Sequence, residues 1–288
     1  MLFSHAMRAR LISACLVFLS GCIAAAQTLD GPCPDAPAYG DNATASGKAK
    51  VNGVSLYYES YGQGAPLLYI HGNGGSIDRG RCQIAFFSKT RRVIAADSRA
   101  HGHSDNGLLP LKYEQIADDL SELVRSLGIE RIDVVGHSDG GIVALLLAIR
   151  HPSQVGNVVA SGPNLRPEVL GQATLARVRN QAQLANEKIA SGDHSQDWTR
   201  LKLQKELVLS EPHISIDDLR KITSPTLIMI GDHDDAIPIS HIIEIATGIS
   251  HAQLAILPGA THDLLRGEYD LYNFIANRFL EVTFAKTH

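Results

Sequence analysis

The sequence has few of the residues that metal sites, nucleic-acid surfaces and membrane spans require. Only four of its 288 residues are cysteine, and no cysteine–histidine spacing is typical of a zinc site. Acidic residues outnumber basic residues by 30 to 26, and no basic block is longer than Arg91-Arg92. The apolar run at residues 11–19 is too short to be a resident membrane helix. These absences predict a protein without a bound metal and without a nucleic-acid partner.

What is present predicts an α/β fold. Hydrophobic residues make up 44% of the chain and charged residues 19%, which is typical of a globular enzyme with a substantial core. Short buried-strand runs alternate with helical patterns along residues 51–163 and 224–288, so the sheet should be mostly parallel and doubly wound. Between residues 164 and 223 the strand signal disappears and helical segments remain, which predicts a short helical lid inserted into this core.

The N-terminus has the pattern of an export signal. Two arginines precede the apolar run, and Leu19-Ser20-Gly21-Cys22 follows it. This order resembles the lipobox of bacterial lipoproteins, which implies a lipid on Cys22 and cleavage just before it. Cleavage after residue 26 is the alternative, because small residues precede that position as well. Both interpretations place an export signal within residues 1–26, and they place the chain in the periplasm, on a membrane through its lipid, or outside the cell.

The segment after the signal differs in composition from the rest. Residues 27–50 are rich in proline, glycine, asparagine and serine, which predicts an irregular tether. Two cysteines remain beyond the signal, Cys33 and Cys82. In an oxidising compartment they could form a disulfide between the tether and the first helix, or they could be two free thiols. The sequence leaves both possibilities open.

The most informative stretch is residues 132–145, where an apolar strand runs into Gly136-His137-Ser138-Asp139-Gly140 and then into an apolar helix. This order predicts a sharp strand-to-helix turn with Ser138 at its apex in a strained conformation. Side chains at the two glycines would collide with neighbouring backbone. The N–H of Asp139 opens the helix and points to where negative charge would develop, so Ser138 is the candidate nucleophile.

A glycine-rich loop follows another predicted strand. The run His71-Gly72-Asn73-Gly74-Gly75 lets backbone N–H groups approach a ligand closely, and the N–H of Asn73 would be a second donor to an oxyanion. A phosphate-binding loop is disfavoured, because neither the dinucleotide fingerprint nor a terminal Gly-Lys-Ser/Thr is present there. We therefore expect no cofactor.

The remaining reactive candidates also follow strand ends. Their order along the chain is Ser138, an acid near residue 234, and His262. Nucleophile, acid and histidine occur in this order in α/β-hydrolases, unlike in the two other well-known serine hydrolase arrangements. Histidine would take the serine proton during attack, and a carboxylate would hold the imidazole in the required tautomer.

Residues 52–282 as a whole resemble the α/β-hydrolase superfamily. The two glycine-containing loops above match it, and so do residues 97–104 (DSRAHGHS), Gly231-x-x-Asp234-x-x-x-Pro238 and Pro258-Gly259-x-x-His262. The turn at residues 136–141 (GHSDGG) and the loop at residues 97–104 look most like those of valacyclovir-hydrolase-like esterases. The resemblance implies the α/β-hydrolase fold and a Ser138–His262–Asp234 triad, with Asp232 and Asp235 as rival acids.

Two positions refine the resemblance. Family members often have an apolar or aromatic residue after the nucleophile, whereas this chain has Asp139. Resemblance to amino-acid ester hydrolases implies that its carboxylate binds a substrate ammonium, although a solvent-facing acid that favours the helix dipole is an equal alternative. Ala100 stands where the family loop usually has glycine, which could shift the path of that loop.

Several other reactive residue types have structural interpretations. Ser104 also sits in a Gly-x-Ser run, but no helix follows it and no glycine stands two residues later. Histidines at positions 71, 101 and 137 are interpreted as supporting groups rather than proton carriers. Trp198, the only tryptophan, should anchor the core of the predicted lid rather than contact substrate.

The predicted function is a serine hydrolase that cleaves carboxylic esters of small molecules through an acyl-enzyme, with a preference for amino-acid esters as a further hypothesis. Lactone, amide, thioester or carbon–carbon bond cleavage by the same triad is the alternative. A non-catalytic binding protein on the same fold is a second alternative, although such proteins usually lose a triad residue. Chemistry that needs an aspartate nucleophile is disfavoured, because Ser138 stands at that position.

Overall fold

The computed structural model describes residue 33, residues 39–108 and residues 110–287, the last five of these by backbone alone. The predicted signal peptide and Cys22 lie outside the described residues. Eight strands are β1 (Ser46–Val51), β2 (Val54–Tyr61), β3 (Ala65–Ile70), β4 (Arg91–Ala96), β5 (Ile132–His137), β6 (Val155–Ser161), β7 (Thr226–Gly231) and β8 (Gln253–Leu257). The helices are α1 (Arg81–Phe87), α2 (Tyr113–Ser126), α3 (Asp139–Arg150), α4 (Gln172–Ala190), α5 (Trp198–Ser210), α6 (Ile216–Leu219), α7 (Ile239–Gly248), α8 (Leu264–Gly267) and α9 (Tyr269–Thr287).

The strands form one mostly parallel sheet, in the order β1-β2-β4-β3-β5-β6-β7-β8. Pairing is antiparallel from β1 to β2 and from β2 to β4, and parallel across the other five junctions. The order reverses at β3, which lies between β4 and β5. Ligands bind beyond the carboxyl ends of strands near such a reversal, which here is the edge from which the candidate residues project. The predicted α/β architecture with a mostly parallel, doubly wound sheet is confirmed.

Side chains on the central strands alternate between two apolar cores. On β3, Leu68 and Ile70 pack into the core that contains α2, α3 and α7, whereas Leu67 and Tyr69 pack into the core that contains α1 and α9. This alternation is the two-residue period of a strand that is covered on both faces. Because helices cover both sides, the sheet is rigid at the edge where the loops of the site begin.

The connection between β6 and β7 holds three helices and no strand. It contains α4, α5 and α6, of which α4 and α5 pack against each other. We call residues 164–223 the insertion, using the bounds predicted for a lid. None of the described helices is long and apolar enough to cross a membrane.

Two strand and helix boundaries differ from those predicted from the sequence, and the structure defines the turn between β1 and β2. The prediction of an irregular tether up to residue 50 is wrong for residues 46–50, which pair with β2 as most of β1. The hairpin turn uses Asn52 and Gly53, both at positive φ, a conformation that this dipeptide favours. The apolar spacing of residues 264–279 predicts one amphipathic helix there, but Glu268 has a φ of −120°, which is not helical, so α8 and α9 are separate.

The cysteine question has a definite answer in the structure. Cys33 and Cys82 form a disulfide, with their Cα atoms 5.5 Å apart. The bond connects the segment before β1 to the buried side of α1, where Cys82 is 4% exposed.

Candidate active site

The turn between β5 and α3 has the geometry that its glycines predict. Ser138 is the residue before α3 and adopts φ 54° and ψ −119°, a conformation that costs free energy for a residue with a Cβ. A Cβ at Gly136 would collide with the carbonyl of Gly140, and one at Gly140 would collide with the carbonyl of Ile70. The turn therefore forms only with glycine at both positions, and it lifts Ser138 above the end of the sheet.

Ser138 contacts the histidine that lies 124 residues away in the chain. The Oγ atom of Ser138 is 3.1 Å from Nε2 of His262, and Nδ1 of His262 is 2.8 Å from Oδ2 of Asp234. A proton on Nδ1 is donated to the carboxylate, which leaves Nε2 free to accept the hydroxyl proton of Ser138. The arrangement can activate an alcohol as a nucleophile.

Asp234, rather than either rival acid, contacts His262. Its side chain is fully buried, and its second oxygen accepts hydrogen bonds from the backbone N–H groups of Ala236 and Ile237. These donors fix the carboxylate so that it faces the imidazole. Asp232 instead accepts from His233 and from the N–H of Gly259, and Asp235 is exposed.

The glycine-rich loop after β3 passes beside the serine. A Cβ on Gly72 would lie 3.2 Å from the Cβ of Ser138, so the loop approaches the nucleophile through its backbone. His71 braces this loop: its Nδ1 donates to the carbonyl of Gly72 at 2.8 Å, and its Nε2 accepts the N–H of Ser98 at 3.0 Å. Both ring nitrogens are occupied, which agrees with the predicted supporting role.

Two backbone N–H groups near Ser138 donate to no described protein acceptor. They belong to Asn73 in the loop and to Asp139 at the start of α3. Unpaired N–H groups at a helix start and in a glycine loop can stabilise an oxyanion. The two residues that were predicted as donors therefore lie on the two segments that flank the nucleophile.

The side chains of the same two residues bind each other. Nδ2 of Asn73 donates to Oδ2 of Asp139 at 2.9 Å and to the carbonyl of Gln204 at 3.0 Å. Burial raises the pKa of the Asp139 carboxyl, and hydrogen bonds from Asn73 and Tyr113 act in the opposite direction. The Asp139 carboxylate is therefore occupied by protein donors and is not a free anion in the cavity.

The loop after β4 is held by buried hydrogen bonds. Ala100 occupies the family's glycine position at φ 60°, so the loop keeps a left-handed turn despite the Cβ. Ser104 is 1% exposed, donates to the carbonyl of Asp97 at 2.6 Å and accepts the N–H of Tyr57, which makes it structural. His101 donates to the carbonyl of Arg99, and burial lowers the pKa of His101 to about 3.

Two neighbours of His262 complete its surroundings. The ring of His137 lies with its centroid 5.1 Å from that of His262, and burial lowers the pKa of His137 well below its usual value. His137 is thus neutral and adds no charge beside the imidazole. Gly162, which the sequence reasoning missed, has φ 58°, and a Cβ there would lie 3.0 Å from Cε1 of His262. Its only sequence signal is a glycine directly after β6.

A cavity of about 380 Å³ opens above Ser138, between the core and the insertion. Helix α5 contributes Val208 and Lys205, whose Nζ donates to Oδ1 of Asn73 at 2.7 Å. Helix α4 contributes Thr174, Arg177 and other residues. Sequence reasoning predicted helices here but named none of these cavity residues.

Trp198 lies away from the cavity. Its Nε1 donates to Asp193, and Lys188 stacks over its ring at 5.7 Å, so it joins the end of α4 to the start of α5 as predicted. Among the described residues, no group of three or more His, Cys, Asp or Glu side chains is arranged to hold a metal ion.

Comparison with known proteins agrees with this architecture. The alpha/beta hydrolase fold family matches residues 65–213. Serine hydrolase BPHL from Homo sapiens is 27% identical over 85% of this chain and 89% of its own length. The non-heme haloperoxidase of Rhodococcus erythropolis is 30% identical over 80% of this chain and 97% of its own.

The solved structure of an enol-lactonase from Burkholderia xenovorans LB400 has the same fold. It matches with a TM-score of 0.69 at 24% identity, and the match covers 82% of this chain and 100% of that one. These relatives have names that describe different reactions, so what they share is the scaffold. On the family match and the homologous hydrolases, this chain belongs to the α/β-hydrolase family and is a hydrolytic enzyme.

Proposed function

We propose that the protein is a serine hydrolase that cleaves carboxylic esters through an acyl-enzyme intermediate. The observation that carries this proposal is the continuous contact from the Ser138 hydroxyl to the His262 ring and on to the buried Asp234 carboxylate. The three side chains come from three separate strand ends, and nothing about packing alone requires them to meet. This arrangement is the one that acyl transfer uses on unrelated folds.

The reaction begins with the attack of Ser138 on the ester carbonyl. Nε2 of His262 accepts the hydroxyl proton as the carbon–oxygen bond forms, and it then gives that proton to the departing alcohol. Asp234 stabilises the imidazolium without taking the proton itself. Water then attacks the acyl-enzyme with His262 as the base, which releases the acid and restores the Ser138 hydroxyl.

The carbonyl oxygen becomes negatively charged in both steps. The N–H groups of Asn73 and Asp139 have no described protein acceptor and are the proposed donors to that oxygen. Because the Asn73 and Asp139 side chains bind each other at 2.9 Å, the two donor segments are held at a constant separation. Losing one donor of this kind typically costs about 3 kcal/mol of barrier.

Selectivity for amino-acid esters stays a prediction of the sequence. It requires the Asp139 carboxylate to accept a substrate ammonium, but Asn73 and Tyr113 already donate to that carboxylate. Comparing alanine ethyl ester with ethyl propionate, on wild type and Asp139→Asn, tests it. If the ratio of the two rates is the same in Asp139→Asn as in wild type, then Asp139 does not bind a substrate ammonium.

Ester cleavage is tested with p-nitrophenyl acetate and butyrate. Wild type should hydrolyse both esters, and Ser138→Ala should lose at least about 10⁴-fold in kcat. Ser104→Ala is the matched control, because Ser104 also lies in a Gly-x-Ser run but bonds only to backbone, and it should keep its activity. Equal rates for wild type and Ser138→Ala would reject the proposal and favour a binding protein.

Lactones, amides, thioesters and carbon–carbon bonds remain the alternative substrates for the same residues. A panel with one substrate of each kind decides among them, with kcat/KM as the measure. Esters should give a higher value than amides and carbon–carbon substrates, since an alkoxide leaves more easily than an amine or a carbanion at equal binding, and binding should decide between esters, lactones and thioesters. A higher value for any other class would transfer the proposal to that class while leaving the roles of Ser138 and His262 unchanged.

We also propose that the chain is exported. The Cys33–Cys82 disulfide supports this, because such bonds persist in oxidising compartments. Expression with labelled palmitate in a bacterial host should label Cys22, and Cys22→Ser should remove the label, whereas Cys15→Ser should not. A mature chain that begins after residue 26 and carries no lipid would indicate soluble export instead.

A further inference from the structure

One face of α4 directs three polar side chains into the cavity above Ser138. Thr174, Arg177 and Gln181 are spaced three and four residues apart, so they lie on the same side of the helix, and all three line the cavity. Thr174 is only 8% exposed. Across the described part of the chain, none of the three side chains forms a hydrogen bond or an ion pair. Thr174 has therefore lost most of its water without gaining a partner, which is unusual for a polar group, whereas Arg177 is exposed and Gln181 is half-buried.

A second cation reaches the same cavity from α5. Lys205 is 9% exposed, and within the described residues the only hydrogen bond of its ammonium is to the neutral amide oxygen of Asn73. Burial lowers the pKa of Lys205, Asp139 opposes this change, and Arg177 adds to it. Arg177 and Lys205 are therefore near enough to repel each other, and no described carboxylate lies within 4.0 Å of either charged group.

The acids in the cavity do not balance these cations. Asp139 is bound by Asn73 and Tyr113, and Asp263 on the opposite wall pairs with Arg266 at 3.8 Å. The wall formed by the insertion is consequently positive and has spare donors. Lys205 is a buried cation without a paired carboxylate among the described residues, which is costly, so an anion that enters with the substrate would stabilise it.

We propose that the insertion binds a carboxylate of the substrate between Arg177 and Lys205, with Thr174 and Gln181 as further donors. This inference rests on the proposed ester hydrolysis and names its substrate class: esters or lactones whose acyl part carries a second, ionised carboxyl group. A guanidinium binds a carboxylate through two parallel hydrogen bonds, and a nearby ammonium adds a third charge-assisted one. These substrates carry a negative charge, whereas the amino-acid esters that Asp139 would select carry a positive charge.

The test compares three ethyl esters of equal chain length: monoethyl glutarate, ethyl pentanoate and ethyl 5-aminopentanoate. For wild type, kcat/KM should be highest for the glutarate ester. Arg177→Gln should lower the ratio of glutarate to pentanoate kcat/KM about tenfold or more, as expected for the loss of one charge-assisted hydrogen bond. Lys205→Met should lower the same ratio.

The matched controls are Arg179→Gln on α4 and Lys202→Met on α5. Neither Arg179 nor Lys202 lines the cavity. Each substitution removes a positive charge from the same helix as the tested residue, so neither should change the glutarate-to-pentanoate ratio. If Arg177→Gln leaves the glutarate-to-pentanoate ratio at the wild-type value, or if wild type prefers the pentanoate or amino ester, the inference is overturned.

Binding without turnover separates this inference from the proposed function. Calorimetric titration of Ser138→Ala should give tighter binding of glutarate than of its neutral analogue glutaramide, and Arg177→Gln should remove the difference. Equal binding of the two compounds would overturn the carboxylate site even if esters are hydrolysed. Absence of ester hydrolysis by wild type, with preferential glutarate binding, would reject the proposed function and leave the site in place.

Discussion

The loops of the sheet and the helices of the insertion meet at one cavity but differ in how their polar groups are paired. In the loops, Asp234 has a partner for both oxygens and His71 for both ring nitrogens. On the insertion, Arg177 and Gln181 face the cavity with no described partner. Polar side chains with protein partners are held in one geometry, whereas polar side chains without protein partners are available to bind a ligand. In the two proposals above, the core accordingly carries out the reaction and the insertion selects the substrate.

Among substitutions that distinguish the core loops from the insertion, the largest loss of activity is expected at Asp234. Asp234→Asn keeps the shape of the side chain but favours the wrong tautomer of His262, so kcat should fall about 10⁴-fold for every ester. Asp232→Asn is the matched control, because Asp232 bonds to His233 and Gly259 instead. A stopped assay with p-nitrophenyl butyrate measures both. Equal losses in the two variants would show that the contact with His262 is not what matters.

The next effect concerns the turn that carries Ser138. Gly136→Ala would push a methyl group into the carbonyl of Gly140, so the free energy of unfolding should fall by at least about 3 kcal/mol. Gly128→Ala is the control: Gly128 also has positive φ, but a Cβ there meets nothing within 4 Å, and the expected loss is about 1 kcal/mol. Urea unfolding measures both losses. Similar losses in the two variants would mean that the backbone around Ser138 can shift to accommodate a Cβ at residue 136.

A smaller effect on the free energy of unfolding depends on pH and comes from His101 in the loop after β4. The pKa of His101 is about 3 in the folded protein and near 6.5 in the unfolded chain. The unfolded chain therefore binds the extra proton below pH 6.5, and stability falls as the pH decreases towards 3. From pH 7 to pH 5 this contributes a loss of about 2 kcal/mol, which His101→Gln should not show. Denaturant midpoints at both pH values measure the difference, and identical losses would contradict it.

The smallest effect is expected where the insertion is attached to the core. Arg200 on α5 donates to the carbonyls of Gly102 and Ser104 and to the side chain of Asn106. Arg200→Gln should loosen α5 and raise KM severalfold with little change in kcat, at a stability cost of about 1–2 kcal/mol. Steady-state kinetics measure the two constants separately. A fall in kcat without a change in KM would mean that the insertion takes part in the reaction itself.

Much of the core could be predicted from sequence because its signals are local. Gly136 and Gly140 indicate a turn that no other residue fits. The choice of Asp234 came from the family resemblance, and the N–H groups that hold its carboxylate toward His262 belong to residues two and three positions later in the chain. The disulfide between Cys33 and Cys82 could not be predicted, since it depends on where residue 33 lies in space. Strand β1 was missed because its six residues include glycine, alanine and two lysines, which have low strand propensity.

The insertion was predictable only as helices. Its apolar pattern indicates helical spacing but not how α4 and α5 cross, and this crossing is what brings Arg177 near Lys205. The departure at Ala100 was visible in the sequence, but its consequence was not: the loop keeps the turn and accepts the positive φ. Side chains that act across two elements depend on tertiary packing, whereas turns depend on neighbours in the chain.

The most direct test of the central claim is covalent labelling of the nucleophile. Incubation with diisopropyl fluorophosphate, followed by intact-mass analysis and peptide mapping, should show one adduct per chain, located on Ser138. Labelling should disappear in Ser138→Ala, persist in Ser104→Ala and slow greatly in His262→Ala, since His262 makes the hydroxyl reactive. An adduct on any other residue, or a folded wild type that is not labelled, would contradict the account.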